Sequence, residues 1–187
     1  MSVVGIVLAA GAGQRFGGPK AEVAVDGERL LDRAVRVLRA GGCADVVAVV
    51  RAGALVVDAH AVVNDDPERG MASSLALGLE AATVTSASRA VVMLADMPGV
   101  QPTTVAAVAG ATAPIAMAGY AGRRGHPVAF ARDLWAEVAE NVHGDEGARG
   151  YIDAHPELVA LVEVGDSPRA LADIDTPADL ADWTDHG

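Results

Sequence analysis

The segment that most constrains the fold of this chain is a short apolar run that leads directly into a glycine-rich stretch. Val3–Leu8 is rich in β-branched residues and predicts a buried strand, and residues 11–20, GAGQRFGGPK, predict a loop. The glycines of this loop can adopt positive φ angles and let the backbone approach a ligand, so that successive amide groups surround phosphate oxygens. Arg15 can add a planar fork of donors to the same anion, and Lys20 can add a point charge. The segment therefore predicts an anion-binding loop after the first strand.

This loop departs from two common nucleotide-binding motifs. Lys20 is followed by Ala21 where a Walker loop has Ser or Thr, and Phe16 stands where the last glycine of Gly-x-Gly-x-x-Gly would be. The alternative interpretation is a flexible loop that carries two solvated cations. The preceding strand favours the anion site, because ligands of α/β proteins bind where strands end.

The composition indicates a protein whose core is built from small side chains. Apolar residues make up 51% of the chain and aromatic residues only 3%, which suits a buried parallel sheet of Val, Ala and Leu. The formal net charge of -11 opposes non-specific binding to nucleic acid. The longest apolar run near the start is too short to span a bilayer. We therefore expect a cytoplasmic protein that has neither nucleic acid nor a membrane as a partner.

Strand and helix signals alternate through most of the chain. Apolar runs predict further strands at Asp45–Val50, at residues 61–63 and at residues 89–95. Helical periodicity predicts helices at residues 30–38, 73–82 and 105–109. This alternation predicts a three-layer, Rossmann-like α/β fold with a mostly parallel central sheet and ligands at the carboxyl ends of its strands.

The second half of the chain departs from this rhythm. Ile115–Tyr120 and residues 127–130 flank a turn at residues 122–125, GRRG, and predict an antiparallel hairpin added to the sheet. A helix at residues 134–142, a strand at residues 158–164 and a last helix after Thr176 follow.

Two acidic positions stand out because of their surroundings. Asp96 follows a buried apolar run, at the sheet edge where a ligand would lie, and a carboxylate there is costly unless it meets a cation. Asp173 and Asp175 are two positions apart, so their side chains share a face if the segment is extended. Residues 176–179, TPAD, predict a helix start with Thr176 as its cap and Asp179 accepting a bond in return.

A series of motifs, in this order, resembles the molybdenum cofactor cytidylyltransferases, a family of nucleotidyltransferases with a glycosyltransferase-A-like fold. The motifs are residues 8–20 (LAAGAGQRFGGPK), Asn64 with residues 70–75 (GMASSL), residues 95–98 (ADMP), 122–130 (GRRGHPVAF), 144–149 (GDEGAR) and 173–180 (DIDTPADL). The resemblance implies that residues 1–187 form a single nucleotidyltransferase domain. It also implies that the protein transfers a nucleoside monophosphate from a triphosphate to a phosphorylated acceptor and releases pyrophosphate.

The resemblance implies a catalytic centre formed by two cations and two carboxylates. Asp96 and Asp175 would hold one Mg²⁺ between them, and this hard cation suits carboxylate, water and triphosphate oxygens. Arg15 and Lys20 would stabilise charge in a loose transition state.

By the same resemblance, the nucleotide would be bound by the first loop and by the loop before the second predicted helix. The implied nucleotide-binding residues are Ala9, Ala10, Gly11, Gly13, Arg15, Lys20, Asn64, Ser74 and Asp96. Ala10 matches relatives that transfer cytidylate better than those that transfer guanylate, so the resemblance favours CTP. For Asn64, ordinary turn chemistry is the alternative, because Asn-Asp-Asp-Pro is a common turn sequence.

The acceptor favoured by the resemblance is the molybdenum cofactor, whose pterin carries a phosphate. The residues implied in its binding are Arg123, Arg124, His126, Asp145 and Arg149. A solvated hairpin tip is the alternative interpretation of the two adjacent arginines, and packing is the alternative for His126. A molybdoenzyme or its chaperone would receive the finished cofactor.

Two rival functions remain open at the level of the sequence. One keeps the reaction but changes the acceptor to a sugar phosphate, a polyol phosphate or phospholactate. The other is a non-catalytic module that binds a nucleotide or delivers a cofactor. The joint presence of Arg15, Lys20, Asp96 and Asp175 argues against the second, because binding alone does not need a metal pair.

Overall fold

A computed structural model describes residues 2–165 and 168–185, which form nine strands and six α-helices. The strands are β1 (Val3–Leu8), β2 (Ala24–Val25), β3 (Glu28–Arg29), β4 (Asp45–Val50), β5 (His60–Val63), β6 (Arg89–Leu94), β7 (Ile115–Tyr120), β8 (Arg123–Ala131) and β9 (Val159–Glu163). The helices are α1 (Leu30–Ala40), α2 (Met71–Ala82), α3 (Pro102–Gly110), α4 (Trp135–Asn141), α5 (Arg149–Ala154) and α6 (Pro177–Asp185).

Seven of the strands form one sheet in the order β5-β4-β1-β6-β8-β7-β9. β1 pairs in parallel with β4 and β6, β4 pairs in parallel with β5, and β7 pairs in parallel with β9. β8 alone among these strands is antiparallel to its neighbours, β6 and β7. The mostly parallel sheet with an added antiparallel hairpin is therefore confirmed, and the carboxyl ends of β1, β4 and β6 share one edge.

Helices cover both faces of this sheet, as the three-layer prediction requires. On one face, α1 and α3 pack over a cluster that includes Val7, Val91 and Leu38. On the other face, α2, α4 and α5 pack over a cluster that includes Ile6, Leu79 and Phe130. Because β1 is buried along its whole length, its alternate side chains contribute to both clusters. No helix among the described residues is long and apolar enough to cross a bilayer.

The turn of the β7–β8 hairpin lies two residues earlier than the sequence suggested. Tyr120 pairs with Arg123, so the turn consists of Ala121 and Gly122, whose φ angles are 48° and 77°. Two positive φ angles in succession are typical of the type I′ turn, which matches the twist of the flanking strands. Arg123 and Arg124 therefore begin β8, and the predicted turn at residues 122–125 is wrong in its position.

A second, smaller hairpin was not predicted from the sequence. β2 and β3 are joined by Asp26 and Gly27, which both have positive φ angles, and Asp-Gly is a common hairpin turn. Val25 at its base packs with Leu30 and Ile174 in a third apolar cluster, which holds the segment before α6 against the first half of the chain.

The start of α6 has the predicted capping arrangement. The Thr176 amide donates to Oδ2 of Asp179 at 2.7 Å, and the Asp179 amide donates to Oγ1 of Thr176 at 3.2 Å. Hydrogen bonding to the Thr176 side chain and backbone lowers the pKa of Asp179. The side chain of Asp179 is therefore engaged in the helix cap, whereas the side chain of Asp175, which lies just before the cap, is not.

The close packing of α2 on β1 gives a testable prediction about the core. A Cβ atom on Gly78 would lie 2.6 Å from Cγ2 of Ile6. Gly78→Ala is therefore expected to lower the free energy of unfolding by about 1–3 kcal/mol through overpacking, as measured by urea denaturation. Gly150→Ala is the control, because a Cβ atom there meets nothing within 4 Å and the substitution in α5 is expected to be neutral or stabilising by up to about 1 kcal/mol. Equal stabilities of the two variants would contradict the close contact.

Candidate functional site

A cavity of about 580 Å³ lies at the edge where β1, β4 and β6 end. It is lined by residues 8–15 after β1, by Arg51 after β4, by the start of α2 and by Asp96 after β6. Parallel pairing brings these segments together, since Leu8 lies opposite Val49 of β4 and Leu94 of β6. The cavity is therefore at the predicted ligand-binding edge of the sheet.

The glycine-rich loop closes on itself around one carbonyl group. The Gly13 oxygen accepts hydrogen bonds from the amides of Phe16, Gly17 and Gly18 at 2.9, 2.9 and 3.2 Å. Gly13 has a φ angle of 60°, and a Cβ atom there would lie 1.8 Å from the Gly18 oxygen. Only glycine fits this conformation, so the loop geometry depends on Gly13.

Lys20 joins the two carboxylates that the resemblance assigned to the metal. Its Nζ atom donates to Oδ1 of Asp175 at 2.7 Å and also donates to Oδ2 of Asp96. Arg15 pairs with the other oxygen of Asp175 at 2.9 Å. The Lys20 side chain is 18% exposed and that of Arg15 74%, so Lys20 is the less solvated of the two cations. The four predicted catalytic residues therefore meet at one place.

The C-terminal segment reaches this place because the backbone around Ile174 is anchored. The Ile174 amide donates to the Asp96 carbonyl oxygen at 2.8 Å, and its side chain is 1% exposed in the third apolar cluster. This anchor sets Asp173 and Asp175, the two neighbours of Ile174, at the cavity wall. The segment 172–175 is not a strand, so the condition for a shared strand face is not met, but both carboxylates line one cavity.

Two groups at the site, Lys20 and Asp173, have shifted pKa values. Burial lowers the pKa of Lys20, but the hydrogen bonds to Asp175 and Asp96 outweigh burial, so that the pKa lies above its ordinary value. Burial and then the nearby charges of Asp175 and Asp96 raise the pKa of Asp173. Lys20 is therefore a fixed cation of the site.

The donor set fits a divalent cation. Oδ1 of Asp96 is buried and has no hydrogen-bond partner among the described residues, so this oxygen lacks a positive or donor group that it needs. Asp96 and Asp175 both offer carboxylate oxygens, which hard cations prefer. Within residues 2–165 and 168–185, no group of three or more His, Cys, Asp or Glu side chains is arranged to hold a metal ion.

Arg51 is a cavity residue that the sequence analysis missed. Its Nε donates to the Ala10 oxygen at 2.9 Å, and its Nη2 donates to Oε1 of Glu68 at 3.0 Å. Arg51 therefore braces the start of the glycine-rich loop against the segment before α2. The available signal was its position, because it directly follows the buried run of β4 at the ligand-binding edge.

The predicted nucleotide-binding residues line the cavity, with the exception of Asn64. Asn64 is 4% exposed, and its Nδ2 donates to the hydroxyl groups of Ser73 and Ser74 at 2.9 Å each. Its Oδ1 accepts a bond from the Asp66 amide at 3.0 Å, which is the turn geometry considered as the alternative. In this arrangement Asn64 orients Ser74, and Ser74 lies at the cavity wall.

Of the five predicted acceptor-binding residues, Asp145 lines the cavity, whereas Arg123, Arg124, His126 and Arg149 do not. Burial together with the charge of Arg149 lowers the pKa of His126 to about 4, although the charge of Asp96 opposes this shift. His126 is therefore neutral at neutral pH. Arg123 and Arg124 are exposed and do not line the cavity, and Arg124 pairs with Asp153 of α5 at 2.7 Å.

The loop geometry predicts a selective effect of one added methyl group. Gly13→Ala is expected to weaken the binding of a nucleoside triphosphate at least about ten-fold, because the loop can no longer close, a loss of about 1.4 kcal/mol. Binding would be measured by isothermal titration calorimetry. Gly18→Ala is the control in the same loop, since a Cβ atom there meets nothing within 4 Å. Equal affinities of the two variants would show that the closed loop is not needed.

Comparisons with known proteins agree with this geometry. Residues 5–159 match the model of the MobA-like NTP transferase domain. The chain is 39% identical to nicotine blue oxidoreductase of Paenarthrobacter nicotinovorans, over 93% of this chain and 92% of that protein. It is 28% identical to a probable molybdenum cofactor guanylyltransferase of Chloroflexus aggregans (strain MD-66 / DSM 9485), over 96% of this chain and 92% of the relative.

A solved structure extends the likeness to three dimensions. Rv0371c of Mycobacterium tuberculosis H37Rv superposes with a TM-score of 0.85 at 29% identity, over 99% of both chains. The same protein has also been solved as a complex with manganese, which superposes with a TM-score of 0.80 at 27% identity over all of both chains. The family match covers most of the strands and the first loop, and on this ground the chain belongs to the MobA-like NTP transferase domain family.

Proposed function

We propose that this protein is a nucleotidyltransferase that moves CMP from Mg²⁺-bound CTP to the phosphate of molybdenum cofactor and releases pyrophosphate. One observation carries the proposal: Lys20 from the glycine-rich loop, Asp96 from the end of β6 and Asp175 from the C-terminal segment meet in one cavity. Family membership supports nucleotidyl transfer. We include in the proposal that residues 1–187 act as one catalytic domain in the cytoplasm, and that a molybdoenzyme or its chaperone receives the product.

The proposed reaction is an in-line displacement at the α-phosphorus. An oxygen of the acceptor phosphate forms a bond to this phosphorus while the bond to the bridging oxygen of the β-phosphate breaks. A phosphate monoester is largely dianionic at neutral pH, because its second pKa is about 6. The acceptor therefore needs no general base from the protein.

The role of the protein is then to position the phosphates and to neutralise their charge. The backbone around Gly13 and the side chains of Arg15 and Lys20 face the triphosphate, where negative charge grows as pyrophosphate departs. Asp96 and Asp175 would hold the metal, which neutralises charge on the triphosphate oxygens. A relative that binds manganese supports the use of a divalent ion.

The choice of CTP rests on Ala10, because the residue at this position matches the family members that transfer cytidylate. The guanylyltransferase relative makes GTP the competing nucleotide. The test is a panel of the four ribonucleoside triphosphates with purified molybdenum cofactor and Mg²⁺, scored by pyrophosphate release. Turnover with CTP alone supports the proposal, and turnover with GTP alone corrects the nucleotide. Pyrophosphate release that does not depend on molybdenum cofactor but requires a sugar, polyol or lactate phosphate corrects the acceptor.

A redox function is the second candidate, favoured by the relative named nicotine blue oxidoreductase. Its test is the bleaching of nicotine blue with a reduced nicotinamide dinucleotide as the hydride donor. Hydride transfer needs no carboxylate pair for a metal, so Asp96→Asn separates the two functions. The transferase proposal would be replaced by the redox function if two results were obtained together. Asp96→Asn would still reduce the dye, and wild type would release no pyrophosphate.

The metal ligands give the first prediction for the transferase. Asp96→Asn and Asp175→Asn are each expected to lower pyrophosphate release at least about 100-fold, because each removes one charged ligand, a loss of about 2.7 kcal/mol. Circular dichroism is expected to stay unchanged, since neither side chain packs in the core. Asp45→Asn is the matched control, because Asp45 is exposed at the opposite end of β4. Near-normal rates for Asp175→Asn would identify Asp173 as the next candidate ligand.

The acceptor side of the site gives the second prediction. Arg149→Ala is expected to raise the KM for molybdenum cofactor about ten-fold or more and to change its salt dependence, because an anionic acceptor loses a charged partner. The affinity for CTP is expected to stay nearly constant. Arg124→Ala is the comparison. It is expected to change the KM for molybdenum cofactor less than Arg149→Ala does, since Arg124 pairs with Asp153 and is 47% exposed. An equal loss of CTP affinity in Arg149→Ala would contradict a separate acceptor site.

A further inference from the structure

The cavity carries more negative than positive charge before any ligand arrives. Its described lining includes three cations, Arg15, Lys20 and Arg51, and five carboxylates, Glu68, Asp96, Asp145, Asp173 and Asp175. A nucleoside triphosphate is itself a polyanion, so this wall repels it unless positive charge enters at the same time. A divalent cation bound to the triphosphate supplies that charge.

Lys20 controls whether such a cation can also enter alone. Its ammonium group lies within hydrogen-bond distance of both Asp96 and Asp175, so it already pairs with one oxygen of each carboxylate that would hold a metal. A coordinated Mg²⁺ needs oxygens at about 2.0–2.1 Å, and the ammonium group and the metal repel each other. A free metal ion must therefore displace Lys20 without offering the ammonium group any new anion.

A metal–triphosphate complex removes this conflict. The phosphates give Lys20 and Arg15 new anionic partners at the moment when the carboxylates are needed for the metal. The metal would also supply a positive charge to Asp96, whose buried Oδ1 has no partner among the described residues.

We propose that Lys20 closes the two-carboxylate site against free divalent cations, so that the protein takes up its metal as the metal–triphosphate complex. The inference rests on the proposed function in taking a triphosphate as the incoming anion. It makes Lys20 a positioning residue for metal uptake as well as a phosphate ligand. The order of binding is thereby set by the charge balance of the cavity.

The test is the affinity for Mn²⁺ without nucleotide, followed by electron paramagnetic resonance of the free ion. Wild type is expected to bind Mn²⁺ weakly. Lys20→Gln is expected to bind Mn²⁺ about ten-fold more tightly, a difference of about 1.4 kcal/mol in binding free energy. Lys20→Arg, which keeps the cation, is expected to stay weak. Asp96→Asn in the Lys20→Gln background is expected to lose the gained affinity, which assigns the gain to this site.

Arg51→Gln is the matched control for charge. It removes one cation from the same cavity, but Arg51 contacts Glu68 and the Ala10 carbonyl, and not Asp96 or Asp175. Its Mn²⁺ affinity is expected to rise much less than that of Lys20→Gln. An equal gain in Arg51→Gln, or no gain in Lys20→Gln, would overturn the inference.

A measurement on wild type alone keeps the test decisive if Lys20→Gln fails to fold. A non-hydrolysable CTP analogue is expected to bind at least about ten-fold more tightly with Mn²⁺ than with a chelator present. Nucleotide-free Mn²⁺ binding as tight as binding with the analogue would overturn the inference. The outcome is separable from the proposed function, because a protein that releases no pyrophosphate with any triphosphate can still show the Lys20→Gln gain.

Discussion

The parallel pairing of β1 with β6 is the constraint on which the rest of the site depends. It sets Leu8 opposite Leu94, so the glycine-rich loop and Asp96 leave the sheet side by side. The amide of Ala95 still donates to the Leu8 oxygen at 3.2 Å, which carries this alignment beyond the last paired residues. A shift of one residue in this register would turn Ile6 from one apolar cluster to the other, so the packing of both faces holds the site in place.

The same short strands are apolar in their interior and lead to charged residues at their ends. Their interior is made of Val, Ala and Leu, whose small volumes let helices such as α2 approach the sheet until only a glycine fits. At their ends the same strands present a cluster of carboxylates and cations. Ion pairs of this kind contribute little net stability after desolvation, so their presence is better explained by ligand binding than by folding.

How far the sequence predicts the structure varies with the range of the interaction. Strand β1, the loop and the α6 cap follow from local patterns, since residue order alone sets periodicity and turn chemistry. The hairpin turn was misplaced because Gly125 is as plausible a turn residue as Gly122, and only the pairing of Tyr120 with Arg123 decides between them. Arg51 was missed because its only signal was its position after a predicted strand, without an accompanying motif. The approach of Asp175 to Lys20 came from the family resemblance, and its physical cause, the anchor at Ile174, is a tertiary contact that no local pattern contains.

The anchoring of Ile174 allows the segment that carries Asp175 to open locally. Lys20 and Asp175 are separated by 155 positions in the chain, and the segment that carries Asp175 is held by a small apolar cluster rather than by a strand of the sheet. Segments with few buried contacts open locally at a lower free-energy cost than the whole fold. Such an opening withdraws Asp175 while the seven strands stay paired, so amide hydrogen exchange around Ile174 is governed by a local transition that a bound nucleotide and metal would suppress.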